Sequence, residues 1–572
     1  MTEKKSDLVR AKISRRKFIT TAAAAGIATP LAVACAPAPA PVAAPVAPVQ
    51  VEVTRIVEME GKTVVEQVMV TPTPLPAKVD LVVGGGQGMY EPLPSPLLTT
   101  IGAFARMVNS KLVETDPTFG EILPDLAESW AVSADGATYT FALRKGVKWH
   151  DGAPFTAADV VFTYMTLLHP AIAGWMTSRL LSIAGAQEYK AGTASDVPGL
   201  VAVDDNTLKI TMAKASPLLL QNLSAIWIYP SHLLKDIPTD KLADDPFWTT
   251  SLVGTGAFKF KEFQKDQFWS LTRNDDYWRG KPKLETYTSR FVKDASVGII
   301  SLEKGELDVF GMTTPDDIER LAGVNYLDVA YAPNTTGNGL TTGKLLANDK
   351  IRQAIAHAIN RDEMAKVIYK GTAKVMTTCF MAPWVPTDGV NMHPFDPEKS
   401  KVLIKESGFD VTKEIDIVTY YTDAFNGRVL AAFQQYLTDV GLKVTVKQAE
   451  FATIEKDWNA GNIALAFGGF PAGPDPDSRR DTFYSIGNAY AKYQDDKVDE
   501  LFDAGGTEFE QSKRATIYGE LSKLLNEHSW VIPLWQPPRY IGFNKKFKGM
   551  AGNTPAGNLT FYMGIENWYF ES

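Results

Sequence analysis

The sequence predicts a mixed α/β chain of two or three domains, and three observations carry that prediction. At 572 residues the chain is too long for one core, since single domains rarely exceed about 250–300 residues. Its 45% hydrophobic and 22% charged residues, with a mean hydropathy of −0.10, match globular proteins and leave no room for several membrane spans. The third observation is one stretch, Leu123–Leu168 (LPDLAESWAVSADGATYTFALRKGVKWHDGAPFTAADVVFTYMTLL), which sets strand and helix periods side by side.

Within that stretch Leu123–Trp130 reads as a helical turn, followed by a polar turn at Ser133–Gly136. In Thr138–Leu143 the residues Tyr139, Phe141 and Leu143 alternate with Thr138, Thr140 and Ala142. This is the period of a half-buried strand. A second short strand is expected over Val147–His150, ending at Asp151-Gly152. Thr156 and Asp159 then form a capping-box pattern that opens an amphipathic helix, because each side chain can satisfy a backbone donor near the other.

The flanks read as follows. A glycine run, Gly84-Gly85-Gly86-Gln87-Gly88, follows the apolar strand Val79–Val83, but Tyr90 and Glu91 stand where a dinucleotide loop needs its last glycine. Two short strands surround the Asp204-Asp205-Asn206 turn. A helix over Ser296–Lys304 stops at Gly305 and the chain re-enters a strand. Asp349–Ile359 and Asn360–Lys370 are consecutive helices, the second capped by Asn360 with Glu363 and closed by Gly371. Asp396-Pro397 opens another helix that runs to Gly408, and Trp530–Trp535 is a strand of the buried type.

Composition narrows the function. Net charge is −8, and residues 1–34 carry seven Lys/Arg against two Asp/Glu, so the remainder is more acidic still. A nucleic-acid partner would need a basic face, and none is expected. Two cysteines, Cys35 and Cys379, write no disulfide framework. The six histidines (150, 169, 232, 357, 393, 528) have no ligand spacing, and G-x-S-x-G, H-E-x-x-H and C-x-x-C are all missing. Gly337–Lys344 falls short of a phosphate loop, with Asn338 where glycine is required and Leu345 in place of the metal-binding Ser/Thr. No catalysis, metal or cofactor is expected.

The N-terminus reads as an address. Ser14-Arg15-Arg16-Lys17-Phe18-Ile19 resembles a twin-arginine export motif, with Arg15 and Arg16 as the paired arginines, and an apolar segment follows from Thr20 to Ala34. Leu31-Ala32-Val33-Ala34-Cys35 resembles a lipobox, which would make Cys35 the lipidated residue and a membrane anchor. Ala36–Gln50 is Pro/Ala-rich and reads as an extended tether. Val51–Val70 alternates apolar and charged residues around Gly61, compatible with a frail hairpin, and disorder is the expectation.

Leu126-Ala127, Ser129-Trp130, Asp135-Gly136, Thr138–Phe141, Gly146–Gly152 and Pro154–Thr156 fall in the order of the signature region of solute-binding proteins serving dipeptide, oligopeptide and nickel ABC importers. Gly254–Phe260, Asn274–Trp278 with Gly280–Leu284, and Lys304–Phe310 repeat further blocks of that family, so the resemblance runs over about Val79–Trp535. It implies a two-lobed periplasmic-binding-protein-like α/β fold with a hinge and an extra subdomain inserted in lobe I. The implied divisions are a signal over 1–34, a tether over 35–78, lobe I from 79–115, 226–335 and 535–572, the inserted subdomain over 116–225 and lobe II over 336–534.

The resemblance also implies the function: a monomeric lipoprotein on the outer side of the cell membrane that delivers an oligopeptide-like solute to an ABC permease and its ATPase subunits. An oligosaccharide or other amine-free solute is the alternative within that class. An extracytoplasmic chaperone or sensor for extended segments is the alternative outside it. In the family a Gly-Trp pair is followed by a carboxylate, which meets the amino end of a peptide, and then by Asp-Pro. Here the matching stretch is Gly469-Phe470-Pro471-Ala472-Gly473-Pro474-Asp475-Pro476. Gly473 stands where that carboxylate belongs, so either the ligand lacks an amine or Asp475 takes the role, because a buried ammonium without a partner is costly. Tyr90, Trp384, Phe470 and Trp535 complete the expected ligand contacts, with Trp458 and Trp530 as further candidates in the same set of aromatic stacking surfaces.

Overall fold

A computed structural model describes residues 51–59, 62–70, 79–85, 103–115, 121–172, 175–292, 294–312, 314–332, 336–471, 475–485, 493–549 and 564–572. Contacts divide the chain into two compact units, Met1–Pro74 and Leu75–Ser572. In the first, Val51–Met59 and Lys62–Val70 pair antiparallel from Val51↔Val70 to Met59↔Lys62. The disorder expected there gives way to the hairpin, whose strands carry the β-branched alternation that favours pairing. Arg15 and Arg16 of the expected export motif, Cys35 and the prolines of the expected tether lie outside the described residues.

The second unit holds two large sheets. The first has seven strands in the order Phe258–Gln264, Phe268–Arg273, Thr286–Phe291, Asp80–Gly85, Val309–Met312, Arg539–Asn544 and Leu327–Ala332. The second has six, Lys374–Val375, Val531–Gln536, Thr336–Thr342, Leu465–Pro471, Glu414–Thr419 and Lys443–Gln448. Chain order within these sheets makes the polypeptide cross from one to the other after Ala332 and return after Gln536. Thr336–Thr342 is a central strand with neighbours on both sides, so the phosphate-loop spacing of Gly337–Lys344 is incidental.

The signature stretch builds a third, four-stranded antiparallel sheet: Ala127–Val132, Thr138–Leu143, Thr207–Thr211 and Leu200–Asp204. Tyr139, Phe141 and Leu143 are buried as their alternation predicts, and they join the core shared with the seven-stranded sheet. The capping box is formed, with Thr156 and Asp159 bonding each other's backbone at the head of the helix Ala157–Leu168.

Two expectations fail here. Leu123–Trp130 is not helical but supplies Ile122–Pro124 and Ala127–Val132 as strands. Leu126 and Ala127 donate to the carbonyls of Lys111 and Leu112, so tertiary pairing overrides the local spacing. Val147–His150 is a turn held by one bridge, Lys148↔Pro154, rather than a strand.

That turn contains His150. Gly254 N donates to His150 Nδ1 at 3.2 Å, which leaves Nε2–H to donate to the Gly256 carbonyl at 3.0 Å. Burial pushes its pKa down to about 4 from the ordinary 6.5, helped by Lys259 and opposed by the Gly256 bond. Between those values the unfolded chain binds the extra proton and the folded chain does not. Stability is therefore whole above pH 6.5 and falls as pH drops toward 4. A loss of about 2–3 kcal/mol is expected over that window at one unit per ~1.4 kcal/mol. Urea titrations at stepped pH check it, and His150→Gln should flatten the slope.

A further core, with Leu302, Phe310, Leu327 and Tyr540, sits with the seven-stranded sheet, and others sit with the six-stranded sheet. One face packs Leu465, Phe467 and Trp535 against the helices Asp349–Ala358 and Ala424–Asp439. A neighbouring cluster lies under the helices Asp496–Thr507 and Gln511–His528. Between the two lobes Lys370 reaches Asp316 at 2.7 Å and Glu319 at 2.9 Å, Arg428 reaches Asp316 at 2.9 Å, and Thr372 bonds the Tyr540 hydroxyl. Among the described residues no helix is long and apolar enough to cross a membrane.

Candidate functional site

Two adjacent strands of the second sheet, Glu414–Thr419 and Leu465–Pro471, run parallel. Their carboxyl ends carry Tyr420-Tyr421 and Gly468-Gly469. Ligands of open α/β sheets gather at such ends. A cavity of about 330 Å³ lies there, walled by Val418, Tyr420, Phe451, Ile454 and Trp458 and floored by Gly468-Gly469, with Arg479 on the side of the 3-10 turn Pro476–Arg479.

The glycines make this space. A Cβ on Gly468 would stand 3.2 Å from the Tyr420 ring, and one on Gly469 would stand 2.8 Å from Thr336 Cγ2 and 3.2 Å from the Tyr421 hydroxyl. Tyr420 is fixed in turn, because Gly469 N donates to its hydroxyl at 3.0 Å and that hydroxyl donates to Tyr421 at 3.4 Å. Burial, with Tyr420 beside it, holds the Tyr421 hydroxyl above the usual phenol range and therefore neutral. Phe451 is exposed at the head of the helix Phe451–Asn459 and meets Tyr420 edge-on at 6.0 Å. Trp458 is buried two turns further along the same side of that helix.

Beyond the cavity the chain is clamped. Asp475 is 7% exposed, and Arg514 grips it with both terminal nitrogens at 2.6 and 2.8 Å while the Asp477 amide donates to it at 2.9 Å. Asp477 accepts from Arg480 at 3.2 Å and from the Tyr518 hydroxyl at 3.2 Å. Its carboxyl is pushed above the usual range, mainly by burial, with Arg480 pulling the other way. The Arg514 guanidinium also lies 5.3 Å from the ring centres of Trp384 and Tyr518.

This placement corrects two expectations. Asp475 is not a free carboxylate waiting for an ammonium, because a bidentate arginine already satisfies it. Trp535 is not a ligand platform: it is fully buried, stacked on Phe433 at 5.9 Å and tilted to Tyr369 at 5.1 Å. Trp384 is half-buried and shares Arg514 with Asp475, so the structure brings these two predicted residues into one cluster. Phe470 lies on the strand Leu465–Pro471, paired with Gly337, and its side chain is outside the described residues. Tyr90 and Gly473 are also outside them. Trp458, one of the stacking candidates, lines the cavity, whereas the walls at Tyr420 and Phe451 and the clamp at Arg514 were not among the expected contacts. The paired signals were the Tyr420-Tyr421 and Gly468-Gly469 doublets at strand ends, where glycine marks close approach.

Among the described residues no group of three or more His, Cys, Asp or Glu is placed to hold a metal ion. The cavity offers apolar surface, the fixed Tyr420 hydroxyl with those of Thr341, Ser478 and Thr482, the Glu455 carboxylate and the Arg479 guanidinium, which is equipment for holding a solute.

Comparison with known proteins agrees. The profile of the bacterial extracellular solute-binding proteins, family 5, middle region, matches residues 121–491. A putative ABC transporter peptide-binding protein of Brucella ovis is 30% identical over 497 residues, covering 84% of this chain and 90% of its own length. An ABC transporter-associated periplasmic binding protein of Helicobacter pylori, solved with the peptide STSA, is 25% identical with a TM-score of 0.73, covering 87% of this chain and 99% of that one. An ABC transporter substrate-binding protein of Listeria monocytogenes superposes with a TM-score of 0.74 at 23% identity, over 87% of this chain and 100% of that one. These neighbours share the two-lobed α/β architecture.

Proposed function

Since the chain belongs to the family 5 bacterial extracellular solute-binding proteins, the solute-binding components of ABC importers, we propose that its solute is an oligopeptide-like chain held between the lobes, with one bulky side chain seated in the cavity at Gly468-Gly469. The observation that carries this is the cavity itself. Its volume of about 330 Å³ has room for a bulky side chain, and it falls at the lower end of the ~300–1,000 Å³ typical of ligand pockets. The peptide named for the Brucella relative, and the one bound to the Helicobacter neighbour, support the solute class.

Specificity then differs from a receptor that reads a peptide amine. Arg514 occupies Asp475, and Gly473 brings no charge to the family position. Affinity in this reading comes from apolar burial and backbone bonding, at ~25 cal/mol per Å² of apolar area removed from water. The same engaged carboxylate favours a second reading, an amine-free solute such as an oligosaccharide stacked on Tyr420 and Phe451.

Calorimetric titration separates them. Tetrapeptides with one aromatic residue should bind, and N-acetylation should weaken binding less than about tenfold, below the ~1.4 kcal/mol that a lost ionic partner would exceed. No binding by either form, with binding by an oligosaccharide, would reverse the assignment.

The rest of the reading concerns place and partners. Export through Arg15 and Arg16, lipidation of Cys35 and an extended tether from 35 to 78 would hold a monomeric receptor above the membrane, within reach of its permease and ATPase subunits. Lobe I would take 79–115, 226–335 and 535–572, the inserted subdomain 116–225 and lobe II 336–534. No catalytic step is part of this function.

A further inference from the structure

We propose that the inserted four-stranded sheet carries a latch that holds the two lobes closed, with the tip of Phe509 seated on Gly136 and Ser216 bonded to Gly506. Gly136 closes the turn between Ala127–Val132 and Thr138–Leu143, and its φ of +69° is one that L side chains rarely adopt. A Cβ there would stand 2.7 Å from Phe509 Cζ, so the absent side chain is the seat for the ring. Phe509 belongs to the other lobe, in the link between the helices Asp496–Thr507 and Gln511–His528. It is 47% exposed, an apolar ring held out toward the inserted sheet.

The second contact lies beside the first. Ser216 Oγ donates to the Gly506 carbonyl at 3.3 Å, and the Tyr139 hydroxyl donates to the Ser216 carbonyl at 3.0 Å. Gly506 lies on the last turn of the helix Asp496–Thr507, and Phe509 follows two residues beyond its end. That turn is also tied to the solute site: Arg514 Nε donates to the Gly505 carbonyl at 2.9 Å while its other nitrogens hold Asp475. A Cβ on Gly506 would meet Arg480 at 3.0 Å and Asp477 at 3.3 Å, so the turn packs directly on the clamped segment. A movement of Asp475–Asp477 as solute enters is therefore passed, through Arg514 and Arg480, to the turn that grips the inserted sheet. The sheet acquires a role that its distance from the cavity does not suggest.

Spin labels at Val203→Cys on the sheet and Val402→Cys on the other lobe test this, because both positions are more than half exposed and the native Cys379 is buried. The full chain carries Cys35→Ser and is measured as purified, without added solute. Phe509→Ala should raise the ratio of long to short distances about fivefold or more, a shift expected when one state loses a contact the other never had. Phe509→Tyr keeps the ring and should retain the wild-type distribution, and Ser216→Ala should fall between. An unchanged distribution in Phe509→Ala, equal shifts in Ala and Tyr, or a wild type without a short-distance population would overturn the latch. Melting curves of Phe509→Ala should match wild type, since the ring is not core.

Discussion

Arg514→Ala is expected to destabilise the protein by about 3–5 kcal/mol, because it strips a buried carboxylate of its bidentate guanidinium partner. The two side chains are 9% and 10% exposed, which removes the screening that makes surface pairs cheap to lose. Arg514 also donates to Gly505 and lies against Trp384 and Tyr518, so four elements loosen together. Asp477 worsens the loss, since burial already pushes it up and Asp475 is one of the charges doing so. Arg514→Lys keeps the charge but not the fork, and should recover about half of the loss. Chemical denaturation with a native-state probe at Trp384 measures both. A cost below about 1 kcal/mol for the alanine variant would mean that the clamp is ornamental.

Much of the frame was legible, and the reasons are local. Thr138–Leu143 and the capping box at Thr156 and Asp159 depend on residues within one or two turns of each other, so periodicity and spacing suffice. The same holds for Asn360, Asp396 and Gly408, whose caps form as read: Asn360 and Asp396 each accept a backbone amide three residues on, and Gly408 takes φ +70°. Leu123–Trp130 was misread because its apolar spacing fits a helix, while the bonds that decide it come from Lys111, Leu112 and the strand at Thr138–Leu143.

The site was legible by position more than by role. The stretch beginning at Gly469 does border the cavity, yet the partner that engages Asp475 stands 39 residues later on another helix. No local pattern announces such a pairing. Trp535 illustrates the opposite error. The run Val531-Ile532-Pro533-Leu534-Trp535 is apolar throughout, which is the signature of a strand buried on both faces, and its tryptophan obeys the run. The cavity lining comes from at least four separate elements, so its convergence is a property of the fold alone.

If solute is held at Gly468-Gly469, Gly469→Val should evict it. The new side chain would press on Thr336 and on the Tyr421 hydroxyl, 2.8 and 3.2 Å from its Cβ, displacing the tyrosines that frame the cavity. Overpacking of this kind costs about 1–3 kcal/mol, which a domain of this size survives. Native mass spectrometry of wild type and variant, purified without refolding, is the decisive measurement. The wild type is expected to carry a ladder of peptide masses, and the variant to be empty with a nearly normal melting temperature. Equal loading of both proteins would place the solute elsewhere, and a single discrete non-peptide mass would replace the oligopeptide with another ligand.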